Sequence, residues 1–160
     1  MIGVTDIIET PKEAARRLMA GKLKEGYEAD ALHTYTDSEG NPLHWRMRLK
    51  HTTLDKVIRP MALINGKYEL KEPPYPNGKP LYNLHELAID SDKTVFIVEG
   101  EKCADYLNKI DLLATTSGGV DSVKSTDWQI LAGREVVIWR DNDNAGLKYQ
   151  NCQSARCFCQ

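Results

Sequence analysis

The pattern of apolar and polar positions changes character along the chain, and its two parts predict different architectures. A helix is predicted to begin at Thr10-Pro11-Lys12-Glu13, where threonine caps, proline occupies the first helical position and Glu13 can close a capping box. Apolar residues at helical spacing follow, and the helix is predicted to end near Gly21. Residues 31–70 then alternate apolar and polar positions, which is typical of strands with one buried face. Turn signals at 37–42 and at Asn65-Gly66 separate these strands.

The clearest alternation lies in residues 43–50. One face of this predicted strand is apolar and the other is basic; the members are Leu43, Trp45, Met47 and Leu49, against His44, Arg46, Arg48 and Lys50. We expect the apolar face to pack, with Trp45 largely buried. Two interpretations of the basic face stay open. It is either an outer sheet face kept soluble by cations, or a surface that contacts phosphates with the help of Arg59.

Four of the seven prolines fall within residues 71–80, and this stiff connector divides the chain into two predicted modules. Residues 1–80 form a helix and a β-rich module, and residues 81–160 form the second module. In the second module, short apolar runs alternate with helical patterns. Buried strands are predicted at 95–98, 112–116 and 136–139, with helices at 101–110 and 126–133 between them. This β-α-β-α-β order predicts an α/β fold with a parallel sheet.

Acidic residues follow two of these predicted strands. Glu99 comes directly after the first strand, and Asp141 and Asp143 come after the third. Ligands of open α/β sheets bind beyond the carboxyl ends of the strands, where three converging carboxylates would repel one another unless a divalent cation lies between them. Oxygen ligands favour Mg²⁺ or Mn²⁺ over zinc. The alternative is that these are ordinary loop carboxylates, which are common after strands.

The composition of the chain limits the classes of protein to which it can belong. The chain has 160 residues, a formal charge of -2 and 41% hydrophobic residues, and these values are ordinary for a globular domain. No apolar run approaches the about 20 residues that span a bilayer, so we expect a cytoplasmic protein without a membrane partner. The near-neutral charge means that any nucleic-acid contact must come from a local basic face. The four cysteines lack the spacing of a four-ligand zinc site.

Two acidic motifs, a glycine loop and an upstream segment resemble one known family. The motifs are residues 98–105 (VEGEKCAD) and 141–146 (DNDNAG), with residues 116–119 (TSGG) between them. Upstream lie Tyr35-x-Asp37-x-x-Gly40 and residues 80–84 (PLYNL). These segments are similar to those of the Toprim domain of phage and plasmid DNA primases and primase-helicases. The resemblance covers roughly residues 31–149.

The resemblance implies a small N-terminal β-rich module followed by a Toprim-like, Rossmann-like parallel sheet with flanking helices. It implies that Glu99 is the catalytic acid or base, and that Asp141, Asp143 and Glu99 bind Mg²⁺ or Mn²⁺. The implied activity is Mg²⁺-dependent nucleotidyl transfer for primer synthesis in phage or plasmid replication, with single-stranded DNA and nucleoside triphosphates as partners. Further residues have implied contacts: Lys102, Gly118 and Gly119 with nucleotide phosphates, and Arg46, Arg48, Lys50 and Arg59 with the nucleic acid.

Two departures from the family keep other functions open. The four-cysteine zinc ribbon that usually begins these primases is absent, and the sequence ends soon after the second motif, where a Toprim sheet normally continues. We therefore expect a pared-down domain or a derivative of a longer protein. An exposed edge at strand 136–139 would favour self-association or a protein partner, unless residues 147–160 cover it. The alternative functions are a Toprim nuclease, and a non-catalytic phage protein that inhibits or regulates a host or defence nucleic-acid complex.

Overall fold

The computed structural model describes residues 9–141, and these residues form two separate sheets with helices. The helices are α1 (Pro11–Leu18), α2 (Ala20–Lys24), α3 (Leu84–Ile89) and α4 (Glu101–Lys109). The strands are β1 (Glu28–Thr36), β2 (Pro42–Lys50), β3 (Val57–Ile64), β4 (Lys67–Glu69), β5 (Val95–Ile97), β6 (Ala114–Thr115) and β7 (Val136–Ile138). Short 3₁₀ helices span Val120–Ser125 and Gln129–Leu131.

The fold is mixed α/β, as the sequence predicts at this coarse level. An antiparallel sheet has the order β1-β2-β3-β4, and a parallel sheet has the order β6-β5-β7. The chain divides into two compact units. The first comprises Met1–Thr34 and His44–Pro73, and the second comprises Tyr35–Leu43 and Pro74–Gln160. The tip of the β1–β2 hairpin therefore belongs to the second unit, although the rest of that sheet belongs to the first.

The helical segment of the first unit begins as predicted but ends later. The Thr10 hydroxyl accepts a hydrogen bond from the Glu13 N–H, and the Glu13 carboxylate accepts one from the Thr10 N–H, so the capping box is confirmed. The predicted stop at Gly21 is wrong. Gly26 ends the segment instead, because its φ of 93° allows Tyr27 N–H to bond back to Lys22 and closes the last turn.

The core of the first unit lies between these helices and the apolar face of β2. Trp45, Met47 and Leu49 are all buried, so the predicted division of the two faces is confirmed for these residues. Trp45 lies opposite Met61 in the register of β2 and β3, and its ring meets the Tyr68 ring edge-on with centroids 5.4 Å apart. The Asn65-Gly66 hairpin turn between β3 and β4 is also confirmed, since both residues have positive φ.

The second unit is built around β5, which pairs in parallel with β6 on one side and β7 on the other. Val95 and Ile97 point into a core completed by Leu81, Leu87, Leu113, Val123 and Leu131. Val98 lies on the opposite face of the sheet, where it packs with Ala104 of α4 and Ala114 of β6. Both faces of β5 are therefore covered, as expected of the middle strand of a parallel sheet.

Two details of the predicted second module differ from the structure. The predicted helix at 126–133 is replaced by the single 3₁₀ turn Gln129–Leu131, because the Thr126 hydroxyl donates back to Ser122 O and the Asp127 carboxylate accepts the Gln129 N–H. The helical pattern at 101–110 also predicts that Cys103, Ala104, Leu107 and Ile110 share one face, and this holds only in part, since Ala104 is buried and Leu107 packs against the same cluster. Cys103 and Ile110 are exposed, and the buried positions of the helix are Glu101 and Ala104.

The strand at 136–139, which the sequence predicts to be buried, is only partly buried. Within residues 9–141, β7 lies at an edge of its sheet, and the side chains of Val137 and Trp139 are 39% and 56% exposed. Self-association through this edge stays a prediction. Asp143 and the tail of residues 147–160 lie outside the described residues. Within the described part of the chain, no helix combines the length and apolar character needed to cross a membrane.

Candidate functional site

The three strands of the parallel sheet end at a common edge, and a candidate motif follows each of them. Glu99 follows β5, the loop 116–119 follows β6, and Asp141 follows β7. Two backbone hydrogen bonds extend the pairing beyond the strand ends. Val98 N–H donates to Thr115 O over 3.0 Å, and Trp139 N–H donates to Ile97 O over 2.8 Å. The backbone therefore brings segments that are distant in sequence to the carboxyl edge of one sheet.

Glu99 and Asp141 are in direct contact at this edge. The backbone N–H of Asp141 donates to Oε1 of Glu99 over 3.2 Å. Glu99 is half-buried, whereas Asp141 is exposed. The structure thus joins the first acidic motif to the start of the second, as their positions after parallel strands predict. Among residues 9–141 no cluster of three or more potential metal ligands forms, and Asp143 is outside that range.

The loop after β6 has the backbone shape that its glycines permit. Gly118 and Gly119 have φ of 85° and 125°, a region that residues with a Cβ seldom adopt. The N–H of Gly118 donates to the Thr116 hydroxyl over 3.0 Å, and Thr116 itself is fully buried. A buried threonine therefore anchors the loop at the sheet edge. Lys102, three positions after Glu99, is half-buried in the first turn of α4.

Two tyrosine–carboxylate pairs, one buried and one partly buried, hold α4, and the sequence interpretation missed both. The Tyr35 hydroxyl donates to Oε1 of Glu101 over 2.7 Å, and the Tyr82 hydroxyl donates to Oδ1 of Asp105 over 2.8 Å. The two tyrosine rings lie against each other with centroids 5.2 Å apart. Helical spacing places Glu101 on the same face as Ala104, but this spacing does not distinguish a buried glutamate from one at the solvated margin of the face.

Tyr82 makes stability depend on pH in the alkaline range. Burial first, and then the negative charge of Asp105, raise the pKa of Tyr82 above its ordinary value of 10.0. Above about pH 10 the unfolded phenol loses its proton while the folded one keeps it, so the unfolded state gains stability relative to the native state. We therefore expect the free energy of unfolding of the unaltered chain to fall between roughly pH 9 and pH 11, the span around the pKa of a free phenol. In Tyr82→Phe this fall should be less steep. Denaturant titrations at several pH values test this, and equal slopes would contradict it.

The predicted basic face of β2 is largely matched by acidic residues of β1. Nε of Arg48 lies 2.7 Å from Oδ2 of Asp30, and Nζ of Lys50 lies 3.3 Å from Oε2 of Glu28. His44, on the same face, is buried, and Arg46 is half-buried. Arg59 on β3 is exposed, and its guanidinium donates to Ile58 O. Local charge pairing therefore leaves Arg59 as a better candidate for phosphate contact than Arg48 or Lys50.

This pairing predicts different roles for two arginines. If the exposed Arg59 contacts a phosphate, Arg59→Ala should reduce the salt dependence of nucleic-acid binding by about one charge unit. Arg48→Ala should leave the salt dependence nearly unchanged, since Asp30 already neutralises this guanidinium. It should instead lower the free energy of unfolding by about 1.5–3 kcal/mol, through loss of a charged hydrogen bond. Binding titrations at several salt concentrations test this, and the reverse ranking of the two slopes would contradict it.

The chain matches no protein-family model, no curated protein and no solved structure. The residues at the sheet edge and their chemistry are therefore what indicates a function for this chain. The strongest of these observations is the contact between Glu99 and Asp141, which lie 42 positions apart in the sequence.

Proposed function

We propose that this chain is a Toprim primase-like protein that acts on DNA by Mg²⁺-dependent nucleotidyl transfer in phage or plasmid replication. The observation that carries the proposal is the 3.2 Å hydrogen bond between the Asp141 N–H and Glu99 Oε1. It brings two acidic motifs together at the carboxyl edge of a parallel sheet, the usual ligand-binding edge of α/β folds. The glycine loop at the same edge supports the proposal, because backbone N–H groups of such loops bind phosphates.

The donor chemistry of this edge fits a hard divalent cation. The candidate ligands are carboxylate oxygens of Glu99 and Asp141, with Asp143 added by the sequence motif, and oxygen donors select Mg²⁺ or Mn²⁺. When bound, such an ion neutralises phosphate charge and stabilises the negative charge that builds on the leaving pyrophosphate. Asp141 is exposed and Glu99 is half-buried at the edge, so a cation can reach both residues from solvent.

The chain's own residues supply the remaining chemistry in this proposal. Glu99 accepts the proton of the attacking hydroxyl as a general base, or contributes a carboxylate oxygen to the metal site. Lys102, in the first turn of α4, places positive charge beside the nucleotide phosphates. The strand of nucleic acid approaches Arg59, with Arg46 in support. Nucleoside triphosphates and single-stranded DNA are the proposed substrates.

A primer-synthesis assay tests this function directly. Purified protein is incubated with single-stranded DNA and labelled ribonucleoside triphosphates, with either Mg²⁺ or Mn²⁺, and with EDTA as the metal-removal control. We expect short labelled oligonucleotides only with metal, because the proposed transfer requires the ion. Loss of the DNA strand without added nucleotides would replace the proposal with a nuclease. No product and no cleavage in either metal would favour the non-catalytic class that binds a nucleic-acid complex.

A further inference from the structure

The short segment that carries Glu99 is anchored at both of its ends. On the N-terminal side, Val98 is buried and its N–H is bonded to Thr115 O of the neighbouring strand segment. On the C-terminal side, Glu101 begins α4 and is only 5% exposed. Gly100, between them, is extended and has no neighbouring atom within 4 Å of the position of a Cβ. Packing around Gly100 therefore does not hold the segment. Its position depends on hydrogen bonds and buried side chains, namely those of the two anchors and the bond from the Asp141 N–H to the Glu99 carboxylate.

Burial of the Glu101 carboxylate, the C-terminal anchor, costs more free energy than an apolar contact at the same place would. A buried carboxylate is destabilising unless hydrogen bonds compensate for its lost hydration. Glu101 receives such a bond from the Tyr35 hydroxyl, which is itself 3% exposed, over 2.7 Å. Its place in the first turn of α4 adds a favourable interaction with the helix N-terminus. A well-packed apolar residue in place of Glu101 would often stabilise the fold equally well. The Tyr35–Glu101 pair therefore contributes a hydrogen bond of fixed direction, which an apolar residue could not make.

We infer that Tyr35 is a positioning residue for the metal and nucleotide site. Its hydrogen bond to Glu101 fixes the start of α4, and the start of α4 fixes the neighbouring Glu99 carboxylate and the Lys102 ammonium group. This inference rests on the proposed function, because it concerns the ligand that Glu99 binds. Residues that orient metal ligands without touching the metal commonly change metal affinity or activity when they are replaced.

Mn²⁺ binding to two tyrosine variants tests the inference. Tyr35→Phe removes the hydroxyl bonded to Glu101, and we expect its Mn²⁺ affinity to fall by about 10-fold, the lower end of the loss that follows removal of a bond made directly to a ligand, because Tyr35 acts on Glu99 through Glu101. Tyr82→Phe is the matched control. It also removes a tyrosine hydroxyl bonded to a carboxylate of α4, but that carboxylate, Asp105, lies one turn farther from Glu99. Its affinity should equal that of the unaltered chain, measured by electron paramagnetic resonance of free Mn²⁺.

The outcomes separate this inference from the proposed function. Equal Mn²⁺ affinity in Tyr35→Phe and the unaltered chain would overturn the positioning role alone, and so would equal losses in the two tyrosine variants. No Mn²⁺ binding by the unaltered chain would contradict both proposals. If Tyr35→Phe does not fold, Tyr35→Phe combined with Glu101→Gln replaces it, since no buried charge then loses its donor. We expect the double variant to show the same loss of affinity, and an undiminished affinity would overturn the inference.

Discussion

Replacing Trp45 with alanine is expected to lower the free energy of unfolding by about 3–5 kcal/mol, the usual cost of deleting a buried large aromatic side chain. Trp45 is only 7% exposed and packs against Tyr68 at the centre of the first unit. Its deletion leaves a cavity that the paired strands β2 and β3 cannot close without breaking their register. Denaturant unfolding followed by circular dichroism measures the loss.

Trp139→Ala is the matched control for this deletion. The same side chain is removed, but Trp139 is 56% exposed and meets the Phe96 ring at a centroid distance of 6.3 Å. We expect it to cost about 1 kcal/mol or less, as is usual for surface positions. A loss below about 1 kcal/mol for Trp45→Ala would mean that the two faces of β2 are assigned wrongly.

Replacing Glu99 with glutamine is expected to lower nucleotidyl transfer by about a hundredfold or more, the lower end of what a general base contributes. The side chains are nearly equal in size, and the amide oxygen retains an acceptor for the Asp141 N–H. Folding stability should therefore change little, which separates a chemical effect from loss of structure. Rates of primer synthesis at saturating Mg²⁺ measure the effect.

Asp92→Asn provides a control with the same change of charge. Asp92 is exposed before β5, at the opposite edge of the parallel sheet from Glu99, and its carboxylate accepts a hydrogen bond from Ser91. We expect activity within the scatter of the unaltered chain. Equal losses in Glu99→Gln and Asp92→Asn would show that net charge, and not the sheet edge, determines the activity.

Part of the candidate site was predictable because its signals are local and its topology is simple. Glu99 and Asp141 follow short apolar runs separated by a helical pattern, and parallel strands necessarily end at the same edge. The sequence alone therefore predicts that Glu99 and Asp141 lie close together. The burial of Glu101 and its bond to Tyr35 could not, because 66 positions separate the partners and Tyr35 lies in the β-rich part of the chain.

The same division applies to the basic face of β2. Its alternation is visible in the sequence, and the buried side chains of Trp45, Met47 and Leu49 follow from it. The neutralisation of Arg48 by Asp30 depends on how β1 lies beside β2, which the residues of either strand alone do not specify. Charge on a strand face therefore indicates solubility or binding only after its cross-strand neighbours are known.

The sequence by itself determined the features that a few neighbouring residues encode. These are the capping box at Thr10, the Asn65-Gly66 turn, the two faces of β2 and the mixed α/β pattern. Tertiary structure alone decided the edge position of β7 within the described residues, the neutralisation of Arg48 by Asp30 and the burial of Glu101. The physical reason is that capping and alternation are satisfied within one turn or one strand. Burial of a charge or exposure of an apolar strand depends on partners that folding brings from elsewhere in the chain.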